Sequence, residues 1–379
     1  MKYYIIAGEA SGDLHGSNLM KEIKKIDSSC QFRCWGGDLM QEQGGEIVKH
    51  YKDLAFMGFI EVLKKIRTIL KNIKTCKEDI ISYQPDAVIL IDYPGFNLRI
   101  AEFLKANEIP VLYYISPQVW AWKKSRILKI KENVDRMFVI LPFEKEFYKN
   151  ENVDVTFVGH PLIDAINDFQ KNKALTNIAF RKKHQLDDRP IIGVLPGSRK
   201  QELTQNLSIM LSALKKFDHF QILIACAPSI NKNFYKPIIK DYPNVKLISN
   251  DTYNLLNQTY AAIVTSGTAT LETALFNVPQ VVCYKSSWIS YQIAKKLIKV
   301  KYISLVNLIL NKEAVKELIQ SDLNDINLKI EVEKILDESN RNIMKDHYSK
   351  LKNMCGGVGA SKITANEMLK TIQIKYPGI

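Results

Sequence analysis

No run of about 18 apolar residues occurs in this 379-residue chain, which excludes a membrane-spanning helix. One lysine and five apolar residues precede the first glycine turn, too short a stretch for a secretory signal, so a cytoplasmic protein is expected. Cysteine is sparse and scattered, at 30, 34, 76, 226, 283 and 355. No second pair and no nearby histidine completes a zinc site around Cys30 and Cys34, so free thiols of a reducing compartment are expected. No G-x-G-x-x-G follows a strand-like run, and the dinucleotide fingerprint is therefore not met. D-x-D is missing too, which leaves a metal-bridged diphosphate unsupported.

Apolar residues make up 46% of the chain and charged residues 25%, an ordinary globular composition at a length that exceeds one core. Two domains follow. The formal charge of +13 suits an anionic partner: nucleic acid, an anionic membrane face or a phosphorylated substrate, with part of the excess a matter of lysine usage. The basic residues accompany an apolar helix rather than interleaved aromatics, so no nucleic-acid partner is expected.

Short apolar runs alternate with helical patterns, which predicts parallel sheets covered on both faces. Strand candidates are 2–7, 31–35, 87–92, 111–115, 136–140 and 154–158, then 191–195, 220–226, 245–248, 261–264 and 280–283. The fold class is α/β, with two doubly wound domains over 1–166 and 167–344. A helical segment at 345–379 is expected to pack back on an N-terminal domain. The polar stretch 166–190 reads as the linker.

Ligands of such sheets bind outside the carboxyl ends of the strands. After the first strand comes "GEASGD". Its glycines allow close backbone approach to a ligand, Ser11 and Asp13 suit a helix cap or a ligand contact, and Glu9 precedes the cap. "VILIDYPGFN" places Asp92 after four apolar residues, where a carboxylate suits proton abstraction from a substrate hydroxyl. Asn97 then caps a helix or binds substrate. In "SPQVWAWKKSR", Trp120 and Trp122 are either core packing or a sugar-stacking loop.

In the second half, "LPGSRKQEL" brings Gly197, Ser198 and the fork of Arg199 to a helix N-terminus, an arrangement suited to a diphosphate. "SGTATLETAL" repeats the device with Ser266, Gly267 and Thr268. Glu272, one turn on from Thr268, suits the two hydroxyls of a ribose. Over 56–77, Phe59, Leu63, Ile66, Leu70 and Ile73 recur at helical spacing among lysines, a pattern fitted either to a bilayer interface or to an ordinary core-facing helix.

Nine strings in register, "GEASGD", "LAFMGFIEVL", "IDYPGFN", "SPQVWAW", "LPFEKEFY", "FVGHPL", "LPGSR", "SGTATLE" and "YISLVNLI", resemble the lipid-A-disaccharide synthase family. Departures are small: Gly95 replaces an acid seen in some relatives, and Val306 stands where proline is common. The resemblance implies a GT-B fold, two Rossmann-like domains facing a cleft. It implies an inverting, metal-independent transfer of 2,3-diacylglucosamine from UDP to 2,3-diacylglucosamine 1-phosphate. The products are the β-1,6-linked lipid A disaccharide 1-phosphate and UDP. No cofactor is implied beyond the UDP-sugar donor.

On that basis Asp92 is the expected general base, with Glu9 and His160 as alternatives, and Arg199 with 197–198 neutralises the diphosphate. Ser266, Gly267, Thr268, Glu272 and Asn307 hold UDP, while Glu9, Ser11, Asp13 and Asn97 orient the acceptor or support Asp92. The resemblance further suggests a homodimer at the cytoplasmic face of an anionic inner membrane, contacted by Phe59, Leu63, Ile66 and Leu70.

Overall fold

Each buried apolar run closes into one parallel strand, and the strands assemble as two sheets. The computed structural model describes residues 1–54, 66–120, 125–286, 291–292 and 300–376. One sheet contains β1 (Lys2–Ala7), β2 (Gln31–Gly36), β3 (Gly45–His50), β4 (Ala87–Ile91), β5 (Val111–Tyr114), β6 (Arg136–Val139) and β7 (Val155–Phe157). Its order is β3-β2-β1-β4-β5-β6-β7. The other contains β8 (Ile191–Leu195), β9 (Gln221–Cys226), β10 (Val245–Ser249), β11 (Thr259–Thr265), β12 (Gln280–Tyr284) and β13 (Lys316–Ile319). Its order is β10-β9-β8-β11-β12-β13. The central strands β4 and β8 are buried along their whole length, as parallel strands covered by helices on both faces must be.

The chain divides into two compact units, Met1–Asp164 with Cys355–Ile379, and Ala165–Met354. The strand order reverses between β1 and β4 in the first unit and between β8 and β11 in the second. Those two reversals are the topological switch points where a doubly wound sheet opens a crevice.

Three expectations are corrected. The edge strands β3 and β13 were not anticipated, because "GEIVKH" and "KELI" carry the charges and short length that protect a sheet edge. The stretch 166–190 is no extended linker: the helices Pro161–Asn172 and Asn177–His184 occupy most of it. Phe169 packs edge-on against Tyr253 and Phe276, and Phe180 is fully buried, so apolar anchoring decides the matter over local polarity. Finally, the return to the first unit begins at Cys355, since the helix Glu338–Met354 stays with the second. Asp164 fixes the last helix, Ala360–Lys375, by accepting hydrogen bonds from the Gly359 and Ser361 amides at 2.6 and 2.9 Å.

The basic helix resolves into two faces over its described part, Ile66–Tyr83. Ile73, Cys76 and Ile80 are buried in the first core, each contributing about 2 kcal/mol of apolar burial. Asp79 locks the same face, accepting from the Tyr4 hydroxyl at 2.6 Å and from the Arg33 Nε and Nη2 at 2.9 and 2.8 Å. Ile73 therefore belongs to the core and not to a membrane stripe. Arg67, Leu70, Lys71 and Lys74 point outward, with Leu70 56% exposed. Phe59, Leu63 and the side chain of Ile66 lie outside the described residues, as does Trp122. Among the described residues, no helix is long and apolar enough to cross a membrane.

Candidate active site

The first unit brings Glu9, Asp92 and Asn97 to one switch point, because β1 and β4 are adjacent and end together at Ala7 and Ile91. Asp92 and Tyr93, the two residues after β4, both adopt left-handed backbone, with φ of 42° and 50°. For non-glycine residues that conformation costs about 1–3 kcal/mol each and persists only where surrounding contacts over-determine it. Those contacts are explicit. The Asp92 amide donates to the Tyr114 carbonyl at 3.0 Å. The Asp92 carbonyl accepts from the Tyr113 hydroxyl at 2.5 Å and from Asn97 Nδ2 at 2.7 Å. The Tyr93 ring stacks on Phe96 at 5.4 Å and fills the space beside Gly8.

A Cβ at Gly8 would meet three atoms of that ring at 2.4–2.7 Å, so any larger residue collides. Gly12 is hemmed in by Ala7 and Gly16 by Met40 and Ile91. These glycines serve packing of the chain on itself, and the expected close approach to a ligand is not what demands them.

Asp92 itself is half-buried. Burial, reinforced by the Glu9 carboxylate, pushes its carboxyl up to about 7, while the Tyr93 amide and the Arg126 guanidinium pull the other way. A carboxylate with that affinity for protons is matched to take one from a sugar hydroxyl near neutral pH. Glu9 is exposed and sits at the N-cap of the helix Ala10–Ile26, and Ser11 is exposed on the first turn.

Asp13 and His160 have other employment. The Asp13 carboxylate is buried and accepts from the amides of Gly37, Leu39 and Met40 at 2.8, 3.1 and 3.1 Å. It caps the helix Asp38–Glu42 and is not turned toward an acceptor. His160 is buried, its Nδ1 accepts from the Leu162 amide at 3.2 Å, and burial lowers it to about 3. The neutral imidazole held there is a packed, structural one, and the His160 amide donates to the Cys355 carbonyl at 2.8 Å.

Sequence reasoning missed Glu144, buried and pushed up to about 7 by burial. It accepts from the Leu141 amide at 2.9 Å and the Trp120 indole at 3.3 Å, and so secures the loop after β5. The clue was its place five residues beyond the end of β6, within "LPFE". Trp120 is half-buried and packs edge-on against Phe143.

The switch point of the second unit is built differently. Pro196 ends β8 buried, Gly197 turns at φ +104°, and Ser198 and Arg199 emerge into solvent before the helix Lys200–Ala213. The amides expected to receive an anion are taken up by the chain itself. Glu202 Oε2 takes the amides of Ser198 and Arg199 at 3.1 and 3.4 Å, and Oε1 lies 3.4 Å from Arg199 Nη1. A diphosphate would have to displace that carboxylate.

Across the same switch point, Gly267 and Thr268 are exposed after β11, whereas the Ser266 hydroxyl donates to the Ile303 carbonyl at 3.0 Å. Glu272 follows one turn into the helix Thr268–Leu275. The Tyr253 hydroxyl donates to it at 3.0 Å, and burial raises its carboxyl above the usual range.

Asn307 is corrected outright. It is fully buried, its Oδ1 accepts from the Ala314 and Val315 amides at 2.7 and 3.0 Å, and its Nδ2 donates to the Val315 carbonyl and Glu317 at 2.8 and 2.9 Å. No hydrogen-bonding capacity is left for a nucleotide.

Comparison with known proteins identifies the family and the fold. A family model described as lipid-A-disaccharide synthetase matches residues 3–370. The chain is 40% identical to a lipid-A-disaccharide synthase of Syntrophus aciditrophicus over 377 residues, covering 97% of each protein. It is 38% identical to one of Coxiella burnetii over 341 residues, covering 89% of each. Among solved structures, a Neisseria meningitidis UDP-GlcNAc 2-epimerase bound to UDP-GlcNAc aligns with a TM-score of 0.70 at 14% identity, over 98% of this chain and 100% of that one. The calicheamicin glycosyltransferase CalG4 aligns with a TM-score of 0.61 at 15% identity, over 99% of both. At such identities these two likenesses show the shared GT-B fold alone.

Proposed function

Since this chain belongs to the lipid-A-disaccharide synthase family and is therefore a glycosyltransferase, we propose a specific reaction for it. The donor is UDP-2,3-diacylglucosamine and the acceptor is 2,3-diacylglucosamine 1-phosphate. The Asp92 carboxylate removes the proton of the acceptor 6-hydroxyl. The freed oxygen attacks the donor's anomeric carbon from the face opposite UDP, and the carbon–oxygen bond to the diphosphate breaks with its electron pair leaving on UDP. The product is the β-1,6-linked disaccharide 1-phosphate, with the anomeric centre inverted.

Arg199 and the amides of 198–199 neutralise the departing diphosphate once Glu202 has turned away, and a divalent metal is not required. Glu272 receives the ribose hydroxyls, beside Gly267 and Thr268. Glu9 raises the proton affinity of the base and meets the acceptor with Ser11. The observation that supports this reading best is Asp92: a carboxyl at a switch point, in strained backbone, pushed up to about 7. Purified enzyme with both acylated substrates tests it. Asp92→Asn is expected to lower turnover about 10²- to 10⁴-fold, and full activity in that variant overturns the assignment. UDP-N-acetylglucosamine without acyl chains is expected to turn over negligibly.

Both proposed substrates carry acyl chains, so the enzyme would work at a membrane surface; the family resemblance suggests a homodimer on the cytoplasmic face of the inner membrane. The outward cations Arg67, Lys71 and Lys74 around Leu70 suit an anionic lipid surface, at about 1 kcal/mol each. Flotation with anionic vesicles is expected to weaken in Leu70→Glu, and equal flotation of the two proteins rejects this contact.

A further inference from the structure

Tyr113 is a fully buried residue of β5 whose ring belongs to the first core. A phenylalanine would fill that space without carrying a hydroxyl out of water, a transfer that is unfavourable unless the group is hydrogen-bonded. The hydroxyl reaches one acceptor, the carbonyl of Asp92, at 2.5 Å. The second donor to that oxygen is Asn97 Nδ2 at 2.7 Å, which also lies 3.2 Å from the Ile91 carbonyl. Asn97 is itself fully buried. Two donors from two elements therefore converge on the peptide oxygen that joins Asp92 to Tyr93, where two successive residues hold left-handed backbone.

Rotation of that peptide would swing the Asp92 side chain and break both bonds at once. The neighbouring Tyr114 offers an internal contrast. It is equally buried on the same strand, but successive strand residues face opposite sides of a sheet, and no hydrogen bond joins its hydroxyl to Asp92.

We propose that Tyr113 and Asn97 form a backbone clamp that fixes the orientation of the Asp92 carboxylate, making both of them positioning residues for the transfer reaction. The inference rests on Asp92 being the base. Because the clamp touches only backbone, it sets geometry rather than substrate affinity, and geometric misplacement of about 1 Å is enough to cost about 10²-fold in rate.

The test compares Tyr113→Phe, Tyr114→Phe, Asp92→Asn and the double variant Asp92→Asn/Tyr113→Phe, assayed with the two acylated sugars. Tyr113→Phe is expected to lower kcat about 10- to 100-fold, with KM for both substrates and the affinity for UDP within about twofold of wild type. Tyr114→Phe keeps wild-type kcat. In the Asp92→Asn background the loss of the Tyr113 hydroxyl adds nothing, since the clamp acts only through that carboxylate. Asn97→Ser removes the other donor and is expected to reproduce the kcat loss, which keeps the proposal testable should Tyr113→Phe fail to fold. Wild-type kcat in Tyr113→Phe, or the same fractional loss with and without Asp92, overturns the clamp. Full activity in Asp92→Asn instead removes the base assignment, a separate failure read from a separate variant.

Discussion

The two switch points differ in how much of their polar surface the chain keeps for itself. At the first, Asp92 is half-buried, its backbone carbonyl is doubly bonded to Tyr113 and Asn97, and Gly8 is filled by the Tyr93 ring. At the second, Ser198, Arg199, Gly267 and Thr268 are exposed, and one carboxylate, Glu202, covers the amides. The same sheet topology thus supports two kinds of work. A desolvated, rigid acid is suited to chemistry, because burial tunes its proton affinity and strained backbone fixes its direction. An exposed turn with a guanidinium is suited to holding a leaving group that enters and departs each cycle.

Removing the guanidinium of the open site should cost more than crowding the first switch point at Gly8. Arg199→Ala is expected to reduce kcat/KM for the donor about 10²- to 10³-fold, measured as UDP release. Arg199→Lys should recover only part of that loss, because an ammonium lacks the planar fork that binds two oxygens. An equal rate in Arg199→Ala would dissolve the contrast between the two units.

A smaller effect sharpens the other side. Gly8→Ala forces a methyl group against the Tyr93 ring, and a destabilisation of about 1–3 kcal/mol is expected from denaturant unfolding. Turnover should fall with it, since the left-handed pair must shift. A variant as stable as wild type would show that the ring is free to move.

Most of the architecture was legible because parallel strands covered on both faces read as unbroken apolar runs, as "YYIIA" and "AVILI" do. The edge strands were not legible, since "KELI" looks like any polar turn until it pairs with β12. The site was legible in place and less so in role. Asp13 and Asn307 stand where functional residues stand, yet each folds back onto amides contributed by chain far along the sequence or across a loop. A polar side chain beside a strand end looks the same in sequence whether it faces a ligand or a backbone. Tyr113 escaped notice for the converse reason: its hydroxyl is buried within an apolar run, and only the adjacency of β4 and β5 shows what it touches. Glu202 likewise reads as a helix-start residue, and its occupation of the anion seat depends on the turn at Gly197.

The central claim is that Asp92 acts as a base with its proton affinity raised by burial. The carboxyl must be ionised to act, so activity should be absent at low pH and rise as the pH passes through the raised value. The direct measurement is the pH dependence of kcat/KM for the acceptor in the wild-type enzyme. We predict an acid limb with its midpoint at about 7, absent from the residual activity of Asp92→Asn. A midpoint at about 4, the value of an ordinary solvated aspartate, or the same limb persisting in Asp92→Asn, would contradict the account.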